Sequence, residues 1–266
     1  MGGRKPGRPG APRERGEQAM NTITRRRWFA MALSASALPW VTRLAEAELS
    51  SNLPTEVAGI PIPRSNRALL AVQFAQRSCP GYLFNHCMRT FLFGALALRQ
   101  QWLSFDAEDA FAAAALHDLG LLPAFASSAQ SFETDGADAA EHFALENGFG
   151  AAHANVIWHG VVLHDGRFAL TRRAGPEAML VALGAGADVD GPDLQTDDQK
   201  RQVAEVVAAF PRLHFKERFT ALLINHCQRK PLSQRGTWLE GLCRRQVPEA
   251  WKQTVEQEIA EAPFEE

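Results

Sequence analysis

Between Leu83 and Leu98 apolar side chains fall on nearly every face of a helical wheel: Leu83-Phe84, Cys87-Met88, Phe91-Leu92-Phe93 and Ala95-Leu96-Ala97-Leu98. A helix that is apolar all round belongs inside a fold, so the pattern predicts a central buried helix over 83–100. Pro80-Gly81 breaks the chain just ahead of it. A second helix is predicted over 105–120, where Asp106 suits the N-cap, Glu108 and Asp109 suit the positive end of the dipole, and Gly120 supplies a stop. Its four consecutive alanines, Ala112 to Ala115, allow close approach of neighbouring helices. Further helical patterns run over 137–147, closed by Asn147-Gly148, and over 151–164, 175–188, 197–210, 213–229 and 234–245. No window alternates cleanly over six residues, and no hairpin dipeptide separates two apolar runs. The chain reads as all-α, with one helical domain over 65–246, a linker over 48–64 and an acidic, proline-bearing tail over 247–266 that frays or wraps over the surface.

Composition changes this picture mainly at the N-terminus. With 46% hydrophobic and 22% charged residues the chain is neither wholly disordered nor collagen-like. Its charges are unevenly divided. Residues 1–47 hold 9 of the 28 Lys and Arg and 3 of the 30 Asp and Glu, which leaves 19 against 27, a net of −8, on residues 48–266. An acidic body argues against a nucleic-acid partner, because phosphate neutralisation calls for clustered basic charge. Residues 1–19 are rich in Gly, Pro and Arg and are expected to be disordered. From Met20, a candidate start, a basic stretch ending in Arg25-Arg26-Arg27 leads into a short, weakly apolar run, Met31 to Leu38, and then Ala45-Glu46-Ala47. That is the three-part pattern of a secretory signal with a small-x-small cleavage site. Arg26-Arg27-Trp28-Phe29 resembles the twin-arginine export motif. The expectation is a folded protein carried by the twin-arginine export machinery to a periplasmic or secreted destination. The apolar run is too short to span a bilayer, so no stable membrane insertion is expected after cleavage.

The candidate chemistry lies in histidines and aspartates. His86 and the adjacent pair His117-Asp118 sit inside apolar helical patterns, where an unsatisfied polar group is costly. Each could be a core residue bonded to backbone, but one cation would satisfy them together. Neighbouring residues at a helix end are about 100° apart and can both reach a point beyond the last turn. Asp188 and Asp190, in Gly184-Ala-Gly-Ala-Asp-Val-Asp-Gly191, are further candidates. Imidazole nitrogens with carboxylate oxygens suit one divalent ion, Zn above all, with Fe or Mn also possible.

The ordered set His86, His117-Asp118 and Asp188 resembles the H…HD…D signature of the HD-domain superfamily of metal-dependent hydrolases and lyases. Asn85-His86-Cys87-Met88-Arg89 is similar to the segment that opens its cyanamide hydratase-like branch, with Cys87 where that branch carries Ser. Ala115-Leu116-His117-Asp118-Leu119-Gly120 is similar to the branch's core motif. Trp158, Val162-Leu163-His164, Gly175-Pro176-Glu177-Ala178 and Asp188-Val189-Asp190-Gly191 continue the likeness in order, so it spans about residues 65–230. The resemblance implies an HD-type helical bundle with a central metal site held by His86, His117, Asp118 and Asp188, and it favours Asp188 over Asp190.

Asp118, His164 and Arg89 are then the candidate catalytic residues. His164 is a proton carrier beside the metal, since imidazole titrates near neutrality. His159, five residues earlier, lies about 140° round the helix and is not expected at the same centre. Arg89 shares a face with His86 and would orient a ligand carboxylate or an anionic substrate, or form a structural ion pair. His142 belongs to a helix that could cover the pocket, and His153, His214 and His226 receive no role. Cys79, Cys87, Cys227 and Cys243 form no CxxC, and three pairings remain open. In a chain folded before export, disulfides are expected only between surface thiols, with Cys87 free. The resemblance implies an enzyme with a small-molecule substrate: a hydro-lyase adding water to a small nitrile such as cyanamide. The alternatives are an HD-type phosphohydrolase or phosphodiesterase, and a non-catalytic, metal-stabilised binding module.

Overall fold

The computed structural model describes residues 53–165, 168–251 and 254–264. The export signal expected within 1–47 lies outside them. The fold is all-α. Helices α1 (Asn66–Ser78), α2 (Gly81–Gln100), α3 (Ala107–Leu116), α4 (Phe132–Glu146), α5 (Ala151–Val162), α6 (Phe168–Ala174), α7 (Pro176–Asp190), α8 (Asp197–Ala209) and α9 (Phe215–Arg229) are followed by the short α10 (Glu240–Gln246) and α11 (Val255–Ala260). Among the described residues no helix is long and apolar enough to cross a membrane.

Two antiparallel two-residue strands, β1 (Glu56–Val57) and β2 (Ile60–Pro61), precede the helices. The segment expected as a linker over 48–64 therefore includes a hairpin. Val57, Ile60 and Ile62 are buried, and Arg99 at the end of α2 donates to the Gly59 carbonyl at 3.0 Å. Beyond Val247 the chain packs as well as winds: Trp251 is buried beneath the guanidinium of Arg244.

α2 is the central helix its pattern predicts, with Leu83, Met88, Phe91, Leu92 and Leu98 buried. It lies against α7 with backbones nearly touching. A Cβ on Gly94 would sit 2.1 Å from the Leu180 carbonyl oxygen, and one on Gly184 would sit 1.9 Å from that of Thr90. Only glycine fits at such distances, and the contact fixes the register of the two helices. α3 is pinned in the same way by small residues. Ala110 and Ala112 to Ala115 are fully buried, and a Cβ on Gly160 of α5 would meet Ala113 at 2.9 Å.

α3 starts where expected, with the Asp106 carboxylate accepting from the N–H groups of Glu108 (2.9 Å) and Asp109 (3.1 Å). It ends earlier than the expected 120, at Leu116, and a 3₁₀ turn follows over Leu119–Leu121. The cause is Gly120, whose Cβ would lie 1.9 Å from the Phe132 carbonyl oxygen, so the chain must turn to pass α4. α1 and α6 lie outside the expected helices, and α4 begins five residues sooner than 137 because Ser131 caps it through Thr134 N–H.

Of the three open cysteine pairings, Cys227–Cys243 is formed, tying α9 to α10, while Cys79 and Cys87 are free. Both bonded residues are buried rather than at the surface as expected. Their helices pack with those two positions facing inward.

Candidate metal centre

His86 projects from the second turn of α2, His117 is the C-cap of α3, and Asp118 follows with its backbone at φ −98°, ψ 9°. The early end of α3 turns Asp118 back over the helix end, so that both members of the pair meet His86. His86 Nε2 and His117 Nε2 are 3.3 Å apart, and Asp118 Oδ2 is 3.4 Å from each. All three residues are buried, and together they form a group that could hold a metal ion.

The hydrogen bonds outside this triangle place a proton on Nδ1 of each ring. His117 Nδ1 meets the Ala114 carbonyl at 2.8 Å, and His86 Nδ1 meets the Asp188 carboxylate at 2.7 Å. Carbonyls and ionised carboxylates only accept, so in the neutral rings, the form that binds a metal, Nδ1 is the donor and the Nε2 lone pair faces inward. Two imidazole lone pairs and a carboxylate oxygen thus converge with no donor between them. Asp118 Oδ2 has no hydrogen-bond partner although it is fully buried. A tetrahedral ion with bonds of about 2.0–2.1 Å has ligand-to-ligand edges of about 3.3–3.4 Å, which is the size of this triangle. The residues fit a zinc-like ion.

The electrostatics agree with ligation by neutral imidazole. Burial, reinforced by the neighbouring His86, lowers the pKa of His117 to about 3. Burial raises that of Asp118, outweighing the opposing pull of His86 and His164.

Asp188 is placed differently. The structure brings three of the four residues implied by the family likeness together and sets Asp188 on the opposite ring nitrogen of His86, outside the group. Both ring nitrogens cannot reach one point, so Asp188 here orients His86 instead of joining its Nε2. Its oxygens accept from Arg89 Nε and Nη2 at 2.8 and 2.7 Å and from Arg212 Nη1 at 2.7 Å. Burial alone would raise its pKa, but the hydrogen bonds from Arg89 and His86 outweigh that and hold the carboxyl well below the usual range. Asp190 is exposed and lines a separate groove of about 380 Å³ between α2, α7 and α8.

Arg89 is fully buried, and its guanidinium is taken up by Asp188 and by the Phe210 carbonyl at 2.9 Å, the geometry of a structural ion pair. His164 does reach the centre. Its Nδ1–H donates to the Val161 carbonyl at 2.5 Å, and its Nε2 lies 3.8 Å from Asp118 Oδ1. Burial and the adjacent His117 lower its pKa to about 4. His159 is bonded to the Asn155 carbonyl away from the centre, and His142 is exposed beside Glu146.

The walls of the centre are aromatic. Phe215 stacks on His86 with ring centroids 4.7 Å apart, Phe219 follows at 5.4 Å, and Phe132 meets His164 edge-on at 5.5 Å. The Phe215/Phe219 spacing of one helical turn was a signal, but of a buried face rather than of its tenant. Arg212, which completes the Asp188 cage, carried no signal. Compared with known proteins, the chain matches no family model and no curated protein.

Proposed function

We propose that this chain is a metal-dependent enzyme of the HD-domain type that adds water to a small, uncharged electrophile, with a nitrile such as cyanamide as substrate. The observation that carries the reading is the donor triangle of His86, His117 and Asp118, three acceptors converging without a proton inside a wall of phenylalanine. A divalent ion held there, zinc in this reading, supplies Lewis acidity and makes a bound water acidic enough to ionise near neutral pH.

The chain's own residues then have distinct tasks. Asp188, clamped by Arg89 and Arg212, holds the His86 ring so that Nε2 faces inward; it acts as a positioning residue. The Ala114 carbonyl does the same for His117. His164 has its Nε2 3.8 Å from Asp118 Oδ1. Its pKa of about 4 lies below the near-neutral value expected of it because it is buried beside His117, so it would relay a proton from the attacking water to the substrate nitrogen without holding it. Phe132, Phe215 and Phe219 pack on the imidazoles and shield them from bulk water. Phosphate-ester chemistry would need cationic groups around the transferring phosphoryl. Arg89 and Arg212 beside the centre are committed to Asp188, which favours the neutral substrate.

The test is metal analysis of purified protein together with turnover of cyanamide and of a generic phosphodiester. Urea formation that requires the metal, with no phosphodiesterase activity, is the expected result. The reverse pattern rejects the nitrile assignment, and metal binding with neither activity leaves a binding module.

A further inference from the structure

We propose a second divalent-metal site at the opposite end of α3, formed by Asp106, Asp109 and His153 and suited to a borderline ion such as Zn²⁺. It is independent of the buried centre. One donor atom from each of the three residues lies within 4.8 Å of the other two. Asp106 caps α3 with Oδ1, which leaves Oδ2 uncommitted by that bond. Asp109 lies on the first turn, and His153 comes from the first turn of α5 with Nδ1 2.6 Å from Asp109 Oδ2. The second observation, beyond clustering, is the other oxygen of Asp109. Its side chain is only 4% exposed, yet Oδ1 has no hydrogen-bond partner. A carboxylate that deep normally has both oxygens satisfied.

The local charge points the same way. Glu177 accepts from Asp106 N–H at 2.8 Å, so a third carboxylate borders the site. Arg67, whose charge acts on His153, is occupied by Glu108 and the Gly148 carbonyl. Burial, Asp106 and Glu177 all push the Asp109 pKa up, and only His153 opposes them. An ion with one nitrogen and two or three oxygen ligands would relieve that crowding, taking the place of the proton His153 Nδ1 now shares with Asp109. The imidazole selects against Ca²⁺ and Mg²⁺, which prefer all-oxygen shells. Because the His153 side chain is 46% exposed, water completes the coordination. The positive end of the α3 dipole disfavours a cation here, but it is a partial charge set against two full ones.

The experiment is calorimetric titration of the chelator-stripped full chain with Zn²⁺, repeated with Co²⁺ to read coordination by absorption. Wild type should bind two equivalents, His153→Ala one and His117→Ala one. Asp109→Asn should weaken the outer equivalent at least about tenfold while circular dichroism stays unchanged. Equal stoichiometry and affinity in wild type and His153→Ala overturn the proposal whatever His117→Ala does. So does an outer equivalent whose Co²⁺ spectrum is the same with and without His153.

Discussion

The two ends of α3 carry the same kinds of side chain, aspartate and histidine, in opposite settings. At the C-terminal end His117 and Asp118 are buried, unprotonated at their inner atoms and faced by other acceptors. At the N-terminal end Asp106 and His153 border water, and the Asp109–His153 pair already shares a proton. The same side-chain types thus form a dry group that could hold an ion at one end and a wet one at the other. What differs is where the hydrogen bonds outside each cluster point.

The largest expected effect separates the ends outright. His117→Ala should abolish ion binding at the centre, whereas His153→Ala should leave it intact, as read by metal content after gel filtration. If the centre keeps its metal without His117, the triangle is not a ligand set.

Next comes the cage behind His86. Arg89→Met removes a buried guanidinium and strands the Asp188 carboxylate, at a cost of about 3–5 kcal/mol, measurable by urea unfolding. A loss below about 1 kcal/mol would mean that Arg212 alone balances Asp188.

Third, the ends should respond to acid with opposite sign in metal-stripped protein. Unfolded imidazoles take up protons near 6.5, but folded His117 does so only at about 3 and His164 at about 4. Between these values the unfolded chain binds more protons, so stability falls as pH falls from 6.5 to 4, by roughly 1.4 kcal/mol per pH unit for each such group. His226, lowered to about 4 by burial, Lys230 and Arg229, adds to the trend. The Asp109 contact instead raises His153. Its contribution is full below 6.5 and is lost as pH rises through the raised value. Chemical denaturation at several pH values reads both, and a stability that is flat from 6.5 to 4 would contradict the first.

The smallest effect is His153→Ala itself, which should cost under about 1 kcal/mol because the pair is largely solvent-screened. It should cost least at alkaline pH.

The pattern of apolar positions made α2 and the start of α3 legible, because all-round hydrophobicity and an Asp N-cap are local signals. α1 was passed over although its signals are local too: Ser65 caps it, and Ala68, Ala71, Val72 and Ala75 recur at helical spacing on its buried face. The HD pair and His86 could be read because order along the chain survives folding. The office of Asp188 could not, because it depends on Arg212, 24 residues away, and on which nitrogen of His86 it meets. His153 was passed over for the same reason: its partner Asp109 is 44 residues distant.

The glycine contacts between α2 and α7 have a consequence for how the centre is tuned. Gly184 stands one helical turn before Asp188, and Gly94 stands two turns beyond His86, so the interval between imidazole and carboxylate is set by two backbones resting on each other. A single added methyl at either position would wedge the pair apart and slacken the ring's tether. The aim of the His86 imidazole is therefore governed by positions that bear no side chain.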